Sequence, residues 1–129
     1  MKSPLLDSNI IIDLCNGRTE ARDYLKQFDT IRIPSIAAFE TLAGCTGERK
    51  GQADIARIIF EAAEIVPFGL EAAEHSAELY TESGSDKNLL DYFIAGTAKE
   101  HGLDVATRNP KDFKSVKTVE PYKLSRKRR

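Results

Sequence analysis

The sequence predicts an α/β protein with a mostly parallel sheet that is covered by helices on both faces. Short runs of β-branched residues or leucine alternate with amphipathic segments along the chain. Strands that alternate with helices form right-handed crossovers, which place the strands parallel to one another. The length of 129 residues matches one domain. We therefore expect a single domain over residues 1–122 and a basic tail over 123–129.

The first two predicted strands are short apolar runs, and each precedes a helix. The run at residues 5–6 ends at Asp7, where a sharp turn leads into a helix. The run at residues 31–33 is closed by Pro34, because proline has no backbone N–H to donate within a sheet. Ser35 then suits the N-cap of a helix over about residues 36–45.

Three further helices are predicted, and strands follow the first and the last of them. Residues 51–63 and 70–82 carry apolar side chains at helical spacing, with a strand at 65–66 between them and Gly84 at the end. The last helix covers about residues 88–101. The following Gly102 supplies the left-handed conformation that commonly ends a helix, and strands follow at 103–107 and 117–119.

Four polar residues fall where a parallel sheet binds its ligands, at the carboxyl ends of the strands. Asp7 ends the first strand, and Asn109 follows the strand that ends at Thr107. Glu40 and Asp91 lie within apolar stretches of two helices, where an unpaired carboxylate is costly to bury. A hard divalent cation relieves repulsion among carboxylates, so this set of residues favours a metal site.

Each acid also has an ordinary structural interpretation. An aspartate after a strand is commonly a turn or N-cap residue. Asp91 suits the first turn of a helix, where the helix dipole favours negative charge, and Glu40 can pair with a distant arginine. The metal site is therefore a prediction from the whole set.

Composition and charge exclude several classes of protein. The two cysteines lie in no metal-binding spacing, which predicts free thiols in a reducing cytoplasm and no structural zinc. No run approaches the roughly 20 apolar residues that span a bilayer, so we expect no membrane partner. Residues 1–122 hold 14 basic against 20 acidic residues, a net charge of −6, while five basic residues lie in the last seven positions. Such an acidic body does not suit a protein that coats nucleic acid.

Three segments of the chain resemble the PIN-domain family, in particular the VapC toxins of toxin–antitoxin pairs. They are LLDSNIIIDL at 5–14, SIAAFETLAG at 35–44 and NLLDYFIAGTAKEHGLDVATRNPKDF at 88–113. The resemblance extends over residues 4 to about 121. It implies a Rossmann-like three-layer α/β/α sandwich and an endoribonuclease dependent on Mg²⁺ or Mn²⁺. The implied chemistry is hydrolysis of an RNA phosphodiester by metal-activated water, which leaves 5′-phosphate and 3′-hydroxyl ends.

The resemblance also assigns site residues position by position. Asp7, Glu40 and Asp91 match the family's first three acids, which hold the metal and position water. The fourth position, about 18 residues after the third, is Asn109 here. Many family members carry asparagine there, so this amide is compatible with activity but implies weaker binding of a second metal.

Several neighbours are expected to support these residues. Asn9 and Thr107 match polar positions that would orient metal-bound water, and Asp112 would either compensate for Asn109 or cap a short segment. Basic residues close to the site in sequence are candidates for contacting RNA: Arg108, Lys111, Lys114 and Lys87.

The resemblance further implies a homodimer and a small antitoxin that covers the site with a helix or an extended segment. The apolar faces at 51–63 and 70–82 would either form the groove for that segment or pack into the core. An inactive PIN-like module that binds RNA or protein is an alternative, which Asn109 alone supports. A phosphatase would need a second aspartate where Asn9 stands, and a receiver-type signalling domain would need acids and a lysine that are not found in order.

The basic tail either guides RNA or is a solvated terminus. If the tail guides RNA, deletion of residues 125–129 weakens RNA binding and flattens its dependence on salt, because fewer phosphates are neutralised. Titrations of RNA at several salt concentrations measure both effects. If neither quantity changes, the tail is a solvated terminus.

Overall fold

The computed structural model describes residues 3–83 and 88–125, which form a five-stranded sheet in the order β3-β2-β1-β4-β5. Each neighbouring pair of strands is parallel. The strands are β1 (Leu5–Leu6), β2 (Arg32–Pro34), β3 (Glu64–Val66), β4 (Val105–Ala106) and β5 (Thr118–Val119). The predicted three-layer α/β/α class is confirmed. Gly84, Lys87 and tail residues 126–129, which were predicted to have roles, lie outside the described residues.

Helices precede and follow the strands along the described chain. They are α1 (Ser8–Cys15), α2 (Thr19–Leu25), α3 (Ser35–Ala43), α4 (Gln52–Glu61), α5 (Leu70–Ser83) and α6 (Leu89–His101). Short 3-10 segments lie at Gly47–Arg49 and Pro110–Phe113. Within residues 3–83 and 88–125, no helix has the length and apolar character needed to cross a membrane.

The helix ends correct one expectation and confirm another. Ser35 is the first residue of α3 and not its cap, since Pro34 occupies the cap position. The Ser35 hydroxyl instead accepts a hydrogen bond from the Phe68 backbone N–H at 3.2 Å, which ties α3 to the segment after β3. Gly102 ends α6 with a φ of 62°, as its position predicted.

The apolar stripe predicted for α4 is only partly buried. The face that α4 turns inward is centred on Ala56, which is fully buried, and Ile59 packs beside it. Because successive helical residues are 100° apart, Ile55 and Ile58 point away from that face. Ile58 is 66% exposed, so α4 leaves apolar surface uncovered next to α3.

Helices α5 and α6 approach closely where Ser76 faces Gly96. The Ser76 hydroxyl lies 2.7 Å from the Ala72 carbonyl oxygen and 2.9 Å from the Tyr92 carbonyl oxygen, so it contacts both helices. A Cβ atom at position 96 would come within 2.5 Å of the Ala72 carbonyl oxygen. A side chain at position 96 would therefore force the two helices apart.

We expect Gly96→Ala to lower the free energy of unfolding by about 1–3 kcal/mol, because the added methyl group overpacks this contact. Urea denaturation measures the change. Gly51→Ala is the matched control, since Gly51 has a helical φ of −66° and a Cβ there meets nothing within 4 Å. Equal stability of the two variants would contradict the steric explanation.

Candidate active site

Asp7 connects the end of the central strand β1 to the start of α1. Its backbone N–H donates to the Ala106 carbonyl oxygen of β4 at 3.0 Å. Its side chain caps α1, with Oδ1 accepting from the Ser8 backbone N–H at 2.8 Å. The residue is only 6% exposed, so its carboxylate is held almost without solvent at the carboxyl edge of the sheet.

Thr107, the residue after β4, links Asp7 to the turn that follows. Its buried hydroxyl donates to Asp7 Oδ2 at 2.8 Å and accepts from the Asn109 backbone N–H at 2.9 Å. Asn9 Nδ2 lies 3.3 Å from the same hydroxyl oxygen. The structure therefore places Asp7, Asn9, Thr107 and the Asn109 backbone around one hydroxyl group.

Glu40 brings a second carboxyl group from α3 to the same edge. Burial raises the pKa of Glu40, the negative charge of Asp7 raises it further, and a hydrogen bond with the Ser8 side chain lowers it. Ser8 is thus a site residue that the sequence analysis did not single out. Two buried oxygens, Glu40 Oε1 and Asn9 Oδ1, have no hydrogen-bond partner among the described residues. An unpartnered buried oxygen costs free energy, which a bound cation would recover.

The pKa of Asp7 is also raised, chiefly because burial disfavours its charged form. The hydrogen bonds from Thr107 and Ser8 lower the pKa and offset part of this effect. The negative charge of Asp112 raises the pKa of Asp7, and the positive charge of Arg108 lowers it. Asp7 therefore lies in a predominantly acidic surrounding that contains Glu40 and Asp112.

The other predicted residues lie on the elements next to this pair. Asp91 is in the first turn of α6, and α6 packs against both α3 and the segment Pro110–Phe113. Asn109 precedes that segment with its side chain exposed, and Lys111 is exposed within it. The structure thus places the predicted acids on elements that contact one another.

The donor set is compatible with a hard cation such as Mg²⁺. Across residues 3–83 and 88–125, no three histidine, cysteine, aspartate or glutamate side chains form a ready-made metal cage. Mg²⁺ commonly takes only one or two carboxylates and completes its coordination with water and phosphate oxygens. Asp7, Glu40 and the unpartnered amide oxygen of Asn9 supply oxygen donors of this kind.

A further buried carboxylate, six residues after Asp7, was missed by the sequence analysis. Asp13 is 5% exposed and accepts two hydrogen bonds from the Arg108 guanidinium, at 2.8 and 3.1 Å. The Tyr122 hydroxyl donates to Asp13 Oδ2 at 2.7 Å. Asp13 follows three isoleucines, so the pattern that singled out Glu40 was also present here. RNA contact by Arg108 stays a prediction, and its guanidinium is already engaged with Asp13.

Comparisons with known proteins identify relatives over nearly the whole chain. A family model described as the PIN domain matches residues 5–119. Ribonuclease VapC1 of Rickettsia felis is 28% identical over an alignment of 131 positions, which covers 95% of this chain and 97% of that protein. A toxin-antitoxin complex from Klebsiella pneumoniae contains a chain that is 33% identical, with a TM-score of 0.80 and coverage of 95% and 100% of the two chains.

A third comparison supports the fold. The structure of VapBC2 from Rickettsia felis bound to a DNA fragment from their promoter matches with a TM-score of 0.77. Its sequence is 23% identical, and the match covers 90% of this chain and 98% of that chain.

We expect Glu40→Gln to stabilise the metal-free protein at pH 7 and so to raise its Tm above that of the wild type. The raised pKa of Glu40 means that folding disfavours its charged form. The penalty is absent below the unfolded pKa of 4.5, grows as pH rises through the folded pKa, and is complete above it. Thermal melts between pH 3.5 and 8 measure this dependence.

Glu120→Gln is the control for this experiment, because Glu120 is an exposed carboxylate outside the helices and strands. We expect its Tm to follow that of the wild type at every pH. A Glu40→Gln protein that is less stable than the wild type at pH 7 would show that burial and the charge of Asp7 do not dominate.

Proposed function

The chain belongs to the PIN-domain family, and from this premise we propose that it is a divalent-metal-dependent endoribonuclease, the toxin of a toxin–antitoxin pair. The pairing of Asp7 with Glu40 is the observation that carries the proposal, because a buried and a half-buried carboxyl group, both with raised pKa values, share one edge of the sheet. The relative named ribonuclease VapC1 supports the activity. The similar chain in a toxin-antitoxin complex supports the biological role.

Mg²⁺ or Mn²⁺ would be held by Asp7 and by Asp91 from α6, and Glu40 would contact it through a bound water. When bound, such a cation offsets the charge of the scissile phosphate and makes water more acidic. Thr107 fixes Asp7 Oδ2 through its hydroxyl, so that Asp7 presents its carboxylate in one orientation. Asn9 adds a buried amide oxygen that is not used within the described residues.

Glu40 is the residue best suited to accept a proton from the attacking water. Burial and the charge of Asp7 raise the pKa of Glu40, which makes its carboxylate a stronger base. The Ser8 side chain holds the Glu40 carboxylate by a hydrogen bond. Asn109, at the start of the segment that follows Thr107, would contact the substrate or its water. The expected products carry 5′-phosphate and 3′-hydroxyl ends.

An acidic site needs positive charge nearby to bind an RNA backbone. Lys111 is exposed three residues after Arg108, on the segment that carries Asp112. We propose that this segment contacts the RNA backbone and that the basic tail is a second source of positive charge for binding RNA.

An antitoxin that covers the site would contact the apolar surface beside Glu40. Phe39, the residue before Glu40 on α3, is 58% exposed, and Ile55 and Ile58 are exposed on α4, which packs against α3. Exposed apolar patches on soluble proteins mark interaction surfaces. We propose that an apolar segment of the antitoxin covers this surface, that a basic side chain meets the acids, and that the toxin acts as a homodimer in the cytoplasm.

Cleavage of a mixed set of RNAs by the purified, antitoxin-free protein tests the activity. With Mg²⁺ or Mn²⁺ we expect cleavage that EDTA abolishes. Asp7→Asn should lower the rate by more than about 100-fold, since loss of a ligand exceeds the 10–100-fold cost of losing an outer-shell partner. Asparagine is as good an N-cap as aspartate, so α1 keeps its start.

Asp23→Asn is the matched control, because Asp23 is an exposed aspartate on α2. We expect it to cleave at the wild-type rate. Wild-type cleavage by Asp7→Asn would reject the assignment of the site. Absence of metal-dependent cleavage by the folded wild type, over a broad set of RNAs, would favour the alternative of a PIN-like module that binds RNA or protein without cutting.

A further inference from the structure

We propose that Asp13 is a positioning residue for the site, acting through Arg108 and Tyr122. We call these three side chains the Asp13 clamp. The clamp attaches two separate parts of the chain to α1, namely the turn after β4 and the C-terminal segment. Its effect on metal binding and cleavage rests on the proposed function, whereas its effect on the turn does not.

The geometry of the clamp is that of a specific anchor. Arg108 Nε and Nη2 donate to the two oxygens of Asp13, at 2.8 and 3.1 Å, and this bidentate arrangement restricts the guanidinium to one plane. The Tyr122 hydroxyl adds a third hydrogen bond, at 2.7 Å to Asp13 Oδ2. Asp13 is 5% exposed, so the loss of its charge would leave the half-buried Arg108 guanidinium without its anionic partner.

The clamp lies one residue from the hydroxyl that orients Asp7. Arg108 stands between Thr107, which donates to Asp7 Oδ2, and Asn109, whose backbone N–H donates to Thr107. A restraint on Arg108 therefore restrains both neighbours through the backbone. The segment that follows carries Asp112, whose charge raises the pKa of Asp7. Release of the clamp should loosen the turn and with it the orientation of Asp7.

The C-terminal segment offers a control contact that does not involve Asp13. Glu20 on α2 accepts hydrogen bonds from the Ser125 backbone N–H and hydroxyl, both at 2.8 Å. These bonds hold the same segment three residues beyond Tyr122 and lie outside the clamp. Glu20→Gln and Asp13→Asn each replace a hydrogen-bonded carboxylate by an amide, so together they separate the clamp from general attachment of the segment.

The experiment compares the wild type with Asp13→Asn, Tyr122→Phe and Glu20→Gln by amide hydrogen exchange and by titration with Mn²⁺ alone. In Asp13→Asn we expect the Thr107 and Asn109 amides to exchange at least about tenfold faster than in the wild type. The reference is the Glu64 amide, which donates to the Ile31 carbonyl oxygen toward the opposite edge of the sheet and should exchange at its wild-type rate. We expect Mn²⁺ to bind about tenfold more weakly, as for other outer-shell changes. Tyr122→Phe should shift both quantities less in the same direction, and Glu20→Gln should shift neither.

A purely structural role gives a different result. If Asp13→Asn accelerates all three amides by one factor and leaves Mn²⁺ affinity unchanged, the positioning role is overturned. If Asp13→Asn does not fold, Tyr122→Phe decides, and unchanged exchange at Thr107 and Asn109 overturns the proposal. Amide hydrogen exchange needs neither metal nor RNA, so it tests the clamp independently of the proposed function. Failure of the proposed metal site would instead be seen as a wild type that binds no Mn²⁺.

Discussion

The burial of the Asp7 carboxylate at the end of β1 is the constraint on which the rest of the site depends. A carboxylate with so little exposure is stable only if its charge is compensated. The fold compensates it in part, through the α1 backbone and the Thr107 hydroxyl. The adjacent Glu40 then makes the compensation incomplete, because it adds a second negative charge. In the proposed function, a bound cation would offset the remaining cost.

Two buried aspartates, one at the N-cap of α1 and one within α1, show how environment decides the role of a residue type. Asp7 and Asp13 are similarly buried and six residues apart. Asp13 meets a guanidinium and a phenol, so its charge is fully paired and serves to hold the chain. Among the described residues, the hydrogen-bond donors to Asp7 are a backbone amide and a hydroxyl, and neither is a cation. Asp13 therefore anchors the structure, whereas Asp7 is the one that the proposed function assigns to a cation.

The sequence predicted what depends on local pattern and topology. The five strands, the α/β order and the left-handed end at Gly102 follow from periodicity and turn chemistry, and strand ends converge in any parallel sheet. Helix α2 was not predicted, because only Ala21 and Leu25 are buried in it and two residues are too few to form an apolar stripe. The contacts of Asp13 with Arg108 and Tyr122 were not predicted, because these partners lie 95 and 109 residues away and no local spacing indicates such contacts.

The amide at position 109 is consistent with this electrostatic arrangement. The contribution of Asn109 seen in the structure is its backbone N–H, which any residue except proline can donate to Thr107. A carboxylate there would add negative charge near Asp7, whose pKa Asp112 already raises. The metal-free protein would then carry a larger penalty, since like charges disfavour ionisation. Asparagine keeps the turn and retains a polar side chain at the rim of the site. Compared with a carboxylate at position 109, it also lowers the positive charge needed to balance the acids of the site.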